Sequence, residues 1–179
     1  VNTLISEAYR ETQKELHKNA AYGVASVEFA PLVASIMNQL GVRELLDYGA
    51  GKQRLAMALR DGAMVRHRFD YRPYEPADDT CSASPEPAEM VTCIDVLEHI
   101  EPEYLEDVLD DLQRLTRKVG LFTIHCGAAR KVLPDGRNAH LTQQPMRWWL
   151  PRILDRFDVD AVRKTPGGFC VMVTPRQEQ

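Results

Sequence analysis

No run in this chain approaches the ~20 consecutive apolar residues of a membrane span. Its opening residues, VNTLISEAYRETQKELHK, mix charge with apolar positions at helical spacing and carry no apolar stretch followed by a small-residue cleavage site, so no secretion signal is read there. Paired cysteines are missing too. The four present, at 81, 93, 126 and 170, are far apart and form no CxxC, which excludes a zinc ribbon or thioredoxin-type pair and reads as reduced thiols in a cytoplasmic protein. An excess of positive charge is also lacking. With 22 Lys and Arg against 26 Asp and Glu, net −4, the chain is poorly suited to nonspecific capture of a nucleic-acid backbone, although a local patch still allows a nucleic-acid substrate.

What remains is ordinary for a soluble globular protein: 44% hydrophobic and 27% charged residues over 179 positions, enough for one domain with its own core. Residues 4 to 40 carry apolar positions at helical spacing (Leu4, Ile5, Ala8; Val33, Ile36, Met37, Leu40), broken by NAAYG and stopped by Gly41, which predicts two helices forming an N-terminal cap. From 44 the pattern alternates. ELLDY reads as a strand, GAGK as a turn, QRLAMALRDG as a helix ending at Gly62, and AMVRHRFDY as a second strand. Residues 72 to 89 hold four prolines and read as a loop. MVTCID is a buried strand. PEYLEDVLDDLQRLTRK is a helix with Leu105, Val108, Leu109, Leu112 and Leu115 on one face, Pro102 in its first turn and Gly120 at its stop. LFTIHC is the next strand, and 127 to 142 a loop. QPMRWWLPRILDRF is a helix that Pro151 should kink or interrupt, and FDVDAVRK and GFCVMVTP form a terminal antiparallel pair.

This alternation predicts an α/β fold: a Rossmann-like, mostly parallel sheet with helices on both faces, a core over 41 to 175 and the cap over 1 to 40, in a single domain spanning 1 to 179. Ligands of such sheets sit at the carboxyl ends of the strands, which predicts a rim carrying Asp47, Asp70, Asp95 and His125.

DYGAGK, residues 47 to 52, turns from the first strand into a helix. Gly49 and Gly51 allow close backbone approach to a ligand, and the helix start offers unpaired N–H groups. A nucleotide-phosphate P-loop would need Gly at Leu46 and a hydroxyl residue at Gln53, and a dinucleotide fingerprint would need Gly at Arg54, so neither is present. A plain strand-to-helix turn is the simpler alternative. The acidic residue followed by G-x-G resembles the first motif of the class I S-adenosylmethionine-dependent methyltransferases, and the resemblance extends over most of 41 to 175.

That resemblance implies cofactor contacts from Asp47, Gly49, Ala50, Gly51, Asp70, Tyr71, Asp95 and Val96, with Asp70 as the acid that receives the ribose hydroxyls. Asp70 follows Asp47 by 23 residues, close to the roughly 20 of nucleotide-binding βαβ units. Glu75 competes for that role if the second strand runs on into RPYEP. The short stretch 72 to 89 leaves no room for the family's next helix, strand and helix, so the sheet should be shortened between its second and fourth strands, with loop residues such as Asp79, Cys81 and Ser82 over the adenine.

CIDVLEH, residues 93 to 99, strengthens the likeness. Its D-x-x-E-H resembles the E-x-x-E-H of metal-dependent O-methyltransferases of ubiquinone biosynthesis and of small-RNA 2′-O-methyltransferases, with the shorter Asp95 as the first acid. The resemblance implies Asp95, Glu98 and His99, with His140 or His125, as ligands of a divalent cation (Mg, Mn, Fe or Zn) that would activate a substrate hydroxyl. Without metal, His99 or His140 would serve as general base, and Glu98 would be a helix-start residue. Arg137 in a closing loop, Trp148 or Trp149 against a ring, and Tyr22 over the cofactor are further candidates, each with a plain structural alternative. The acceptor expected is a small molecule with an oxygen or nitrogen nucleophile. Alternatives are a nucleic acid or modified nucleotide as acceptor, or a noncatalytic regulatory protein that binds S-adenosylmethionine. Oligomeric state is not legible.

Overall fold

The computed structural model describes residues 4–19, 23 and 25–176. Tyr22 lies outside them. Two helices, α1 (Glu7–His17) and α2 (Ala25–Leu40), precede β1 (Glu44–Tyr48), α3 (Arg54–Asp61), β2 (Asp70–Tyr74) and β3 (Ala88–Ile94). After 3₁₀ turns at Leu97–His99 and Pro102–Tyr104 come α4 (Leu105–Leu115), β4 (Thr116–His125), α5 (Met146–Leu154), β5 (Phe157–Thr165) and β6 (Gly168–Pro175). The strands form one six-stranded sheet in the order β2-β1-β3-β4-β6-β5. The first four are parallel, and β6 enters antiparallel between β4 and β5. The expected α/β architecture is therefore present, and the chain passes from β2 to β3 through a loop, as the proline-rich stretch implied.

Alternation along the strands builds the two layers. Leu45 and Leu46, Met90 and Val91, and Leu121 and Phe122 are adjacent in sequence but bury their side chains on opposite faces, the period of two that a pleated strand imposes. One face packs on α2 and α3 through Val33, Met37, Leu55 and Leu59. The other packs on α4 and α5 through Leu109, Leu112, Trp149 and Ile153. Trp149 is fully buried with its indole N–H donated to the Gln144 carbonyl at 3.0 Å, so truncation to Ala would cost about 3–5 kcal/mol. Its neighbour Trp148 is half-buried under the Arg152 guanidinium, 3.5 Å from the ring centroid.

Several boundaries differ from expectation for identifiable reasons. The second strand is Asp70–Tyr74, not AMVRHRFDY: α3 ends at Asp61 with Gly62 as its cap, Ala63 turns at φ 45°, and Arg66 and Arg68 stay exposed while His67 bonds the Val42 carbonyl. Its register is set by Glu44 opposite Asp70 and by Arg72 reaching Glu44. Helix α4 stops at Leu115 rather than at Gly120, which lies inside β4 where a Cβ would come within 2.7 Å of Val173. Pro151 sits inside α5 without ending it.

Candidate active site at the carboxyl ends of the strands

A cavity of about 300 Å³ opens at the carboxyl ends of β1, β2 and β3, between the strand ends and α1. Its floor is the glycine turn. Gly49 takes φ 77° because its N–H and that of Ala50 both reach the Tyr74 carbonyl, at 2.8 and 3.0 Å. A Cβ on Gly49 would stand 2.4 Å from Val96 Cγ2, so the turn is packed directly on the residue after β3. Asp47, Gly49, Ala50, Gly51, Asp95, Val96 and His99 all line the cavity.

Two acids of the wall are held differently. Asp47 is buried, its oxygens accepting from the Tyr71 hydroxyl at 2.6 Å and the Thr92 hydroxyl at 3.0 Å. Burial pushes its pKa up to about 6 against the pull of those bonds. Tyr71 thus orients Asp47 and does not itself line the cavity. Glu75, the first residue past β2, is 7% exposed, and its oxygens accept from the backbone N–H groups of Gly51 and Ala77, both at 3.1 Å.

Asp70 is not at this site. It begins β2 at the amino end, exposed and paired with Arg72 at 2.7 Å, because the strand starts seven residues later than its charged, alternating forerunner suggested. Glu75 takes the strand-end position instead. Asp79, Cys81 and Ser82 are absent from the cavity wall. Asp79 pairs with Arg10 and Lys14 of α1, fastening that helix to the loop.

Helix α1 supplies the wall that sequence reasoning missed. Ile5, Tyr9, Gln13 and His17 recur every fourth residue and all face the cavity. That spacing was a readable signal, but nothing local says which surface the stripe covers. The helix is capped by Ser6, whose hydroxyl accepts from the Tyr9 N–H. Both the backbone N–H and the hydroxyl of Ser6 donate to the buried carboxylate of Glu101, at 2.8 and 2.7 Å.

At the reacting edge, Asp95 adopts φ 55°, its N–H donated to the Thr123 hydroxyl at 2.9 Å. Glu98 is fully buried. One oxygen accepts from the His125 N–H at 2.7 Å, the other has no hydrogen-bond partner among the described residues, and burial with the Asp95 charge pushes its pKa up to about 8. His99, His140 and His125 form a row of rings, His99 edge-on to His140 and His125 tilted against it, with centroids 4.7 and 4.9 Å apart. His99 Nδ1 faces the Ala139 carbonyl at 2.8 Å, and His140 Nδ1 faces the Gly127 carbonyl at 2.7 Å. A carbonyl only accepts, so Nδ1 carries the proton in both rings and Nε2 is the basic nitrogen. Burial pushes the His99 pKa down to about 4, leaving it neutral near pH 7.

Of the three rings only His99 reaches the cavity; His140 and His125 stand behind it. Among the described residues no group of three or more His, Cys, Asp or Glu side chains is arranged to hold a metal ion, so the expected set of Asp95, Glu98, His99 and His140 is not assembled. Glu98 instead ties the turn after β3 to the end of β4. Arg137 pairs with Asp135 and lies over the Tyr9 ring, 5.9 Å from its centroid, as part of the contact between α1 and the 127–142 loop.

No protein-family model matches the sequence, and no curated protein matches it. Solved structures do. A Burkholderia thailandensis 1,6-didemethyltoxoflavin-N1-methyltransferase, solved with 1,6-didemethyltoxoflavin and S-adenosylhomocysteine, superposes with a TM-score of 0.65 at 14% identity, over 99% of this chain and 94% of its own. The fold is that of the class I S-adenosylmethionine-dependent methyltransferases. DhpI in complex with S-adenosylhomocysteine matches at 0.57 and 16% identity, over 95% of this chain and 98% of its own. The mitomycin 7-O-methyltransferase MmcR matches at 0.65 and 12% identity, with 92% of this chain spanning 60% of that one. Within this methyltransferase fold the β2-to-β3 connection is reduced to a loop. No described helix is long and apolar enough to cross a membrane.

Proposed function

We propose that the protein transfers the methyl group of S-adenosylmethionine to an oxygen or nitrogen nucleophile of a small molecule, with residues 1–179 acting as one methyltransferase unit whose helix α1 roofs the site. One observation carries this reading: a single cavity is bordered by the glycine turn Gly49–Gly51, by Glu75 at the end of β2, and by Asp95 to His99 after β3. These residues fit the cofactor. The glycine turn permits close backbone approach, and the Glu75 carboxylate is placed to accept from a ribose diol. Bound there, S-adenosylmethionine supplies a methyl carbon activated by a positively charged sulfur.

The chain's own residues do the rest. Asp95 and Val96 border the reacting end, α1 excludes water, and Nε2 of neutral His99 takes the proton that the acceptor's hydroxyl or amine loses. His140 and the Ala139 carbonyl hold the His99 ring and its tautomer. No step is routed through a metal, since the four expected ligands do not converge. The test is transfer of labelled methyl from S-adenosylmethionine to a pooled metabolite extract, with RNA and DNA in parallel. Label in small molecules is expected; label only in nucleic acid, or none with any pool, overturns the reading.

A further inference from the structure

The two ends of the cavity carry different ionisable side chains. At the glycine turn stands His17, whose Nε2 is 3.9 Å from where a Cβ of Gly51 would be, with Lys52 next in sequence. This end suits the carboxylate of the cofactor's methionine portion. The other end carries an exposed acid. Asp95 is exposed to the cavity and Glu28 lies close enough to act on it through space, while His140 and His125, which act on it in the opposite sense, stand behind the wall.

No lysine or arginine is among the described residues that line the cavity, and the residues outside the described set include neither. Beside Asp95 and His99 the wall is apolar, formed by Ile5, Val96 and Ile100 with the ring of Tyr9. A phosphate or carboxylate entering here would meet the like charge of Asp95 with no lysine or arginine in the wall to offset it. In a site of low effective dielectric, that repulsion is worth tenfold or more in affinity at a separation of about 5 Å. The volume, about 300 Å³, is at the small end for ligand sites and leaves little room for a large acceptor.

Building on the methyltransferase reading, we infer that the acceptor is a small, largely apolar compound that is uncharged or cationic, selected against phosphate and carboxylate by Asp95 at the reacting end. Size and apolar walls admit it, and the acid at the edge sets its charge. The backbone at Asp95 permits a clean test, because asparagine tolerates the same left-handed conformation.

The full chain, saturated with S-adenosylhomocysteine in the presence of a chelator, is titrated calorimetrically with 4-ethylphenol, tyramine and 4-hydroxyphenylacetate. These share a phenol ring and carry no charge, a positive charge and a negative charge. The inference expects tyramine and 4-ethylphenol to bind at least about tenfold more tightly than 4-hydroxyphenylacetate. Asp95→Asn should shrink that gap, and so should high salt. Equal or tighter binding of the carboxylate overturns the inference, as does a gap unchanged in Asp95→Asn, or no binding of any probe in the low millimolar range. If S-adenosylhomocysteine itself fails to bind, the methyltransferase reading falls; if it binds and the probes show no charge preference, only the acceptor assignment falls.

Discussion

Replacing Glu75 should separate the two acids that compete for the ribose. Its carboxylate is 7% exposed, and each oxygen already accepts a backbone N–H, from Gly51 and Ala77. Hydrogen bonds to a charged group contribute about 1.5–3 kcal/mol each, so losing a ribose diol's two bonds would cost about 3–6 kcal/mol if the acceptor were otherwise idle. Because Glu75 also holds the glycine turn, the lower half of that range applies, a loss of roughly 100- to 1000-fold in affinity for S-adenosylhomocysteine in Glu75→Ala. Glu75→Gln keeps one good acceptor and should fall between. Asp70→Ala is the matched control. Its side chain is 60% exposed and its ion pair with Arg72 lies on the surface, where such pairs contribute about 0–1 kcal/mol, so binding should be unchanged. Calorimetric titration of the three variants, with thermal melts to verify folding, decides the matter. Equal weakening in Asp70→Ala and Glu75→Ala would refute the assignment of the strand end.

His99→Gln should lower kcat by about 10²- to 10⁴-fold, as loss of a general base does, and leave affinity for S-adenosylhomocysteine within about threefold. Because burial holds the folded His99 pKa near 4, its base form persists through neutral pH; a rate limb near 6.5 that vanishes in this variant would contradict the assignment. The same shift makes stability fall as pH drops from about 6.5 toward 4, where the unfolded chain takes up a proton that the folded one refuses, and acid melts of His99→Gln should lack that slope. Glu98 has the opposite sign. Its raised pKa means stability present below about 4.5 is lost as pH rises through about 8, so Glu98→Gln should melt higher than wild type at alkaline pH, and a lower melting point there would count against a protonated Glu98. Gly49→Ala forces a side chain into φ 77° and a Cβ against Val96, and should cost about 1–3 kcal/mol in thermal unfolding along with cofactor affinity; a neutral result would show that the turn is not packed as described.

The parts of the site that were legible in the sequence share a property: their geometry is decided within a few residues. ELLDYGAGK could be read because an apolar strand followed by glycines at positive φ leaves few alternatives, and β1 with its turn appears where expected. CIDVLEH likewise placed Asp95 and His99 at the cavity. Asp70 was misplaced because AMVRHRFDY alternates like a strand, while the register that starts β2 at residue 70 comes from pairing with Glu44, far away in sequence. The metal set failed for a similar reason. His140 arrives on a loop whose internal bonds, Asn138 to Ala129 and Ala139 to Lys131, fix it behind His99 rather than beside it. The stripe Ile5, Tyr9, Gln13 and His17 was visible as a helical face, but which cavity it roofs depends on Ser6 meeting Glu101 across 95 residues.

A crystal structure of the protein grown with S-adenosylhomocysteine would test the central claim most directly. The ligand should lie in the strand-end cavity, its ribose hydroxyls on Glu75, its methionine portion over Gly49–Gly51 and its sulfur beside Asp95 and Val96. Ligand bound elsewhere, or a ribose held by Asp70 with Glu75 untouched, would contradict it.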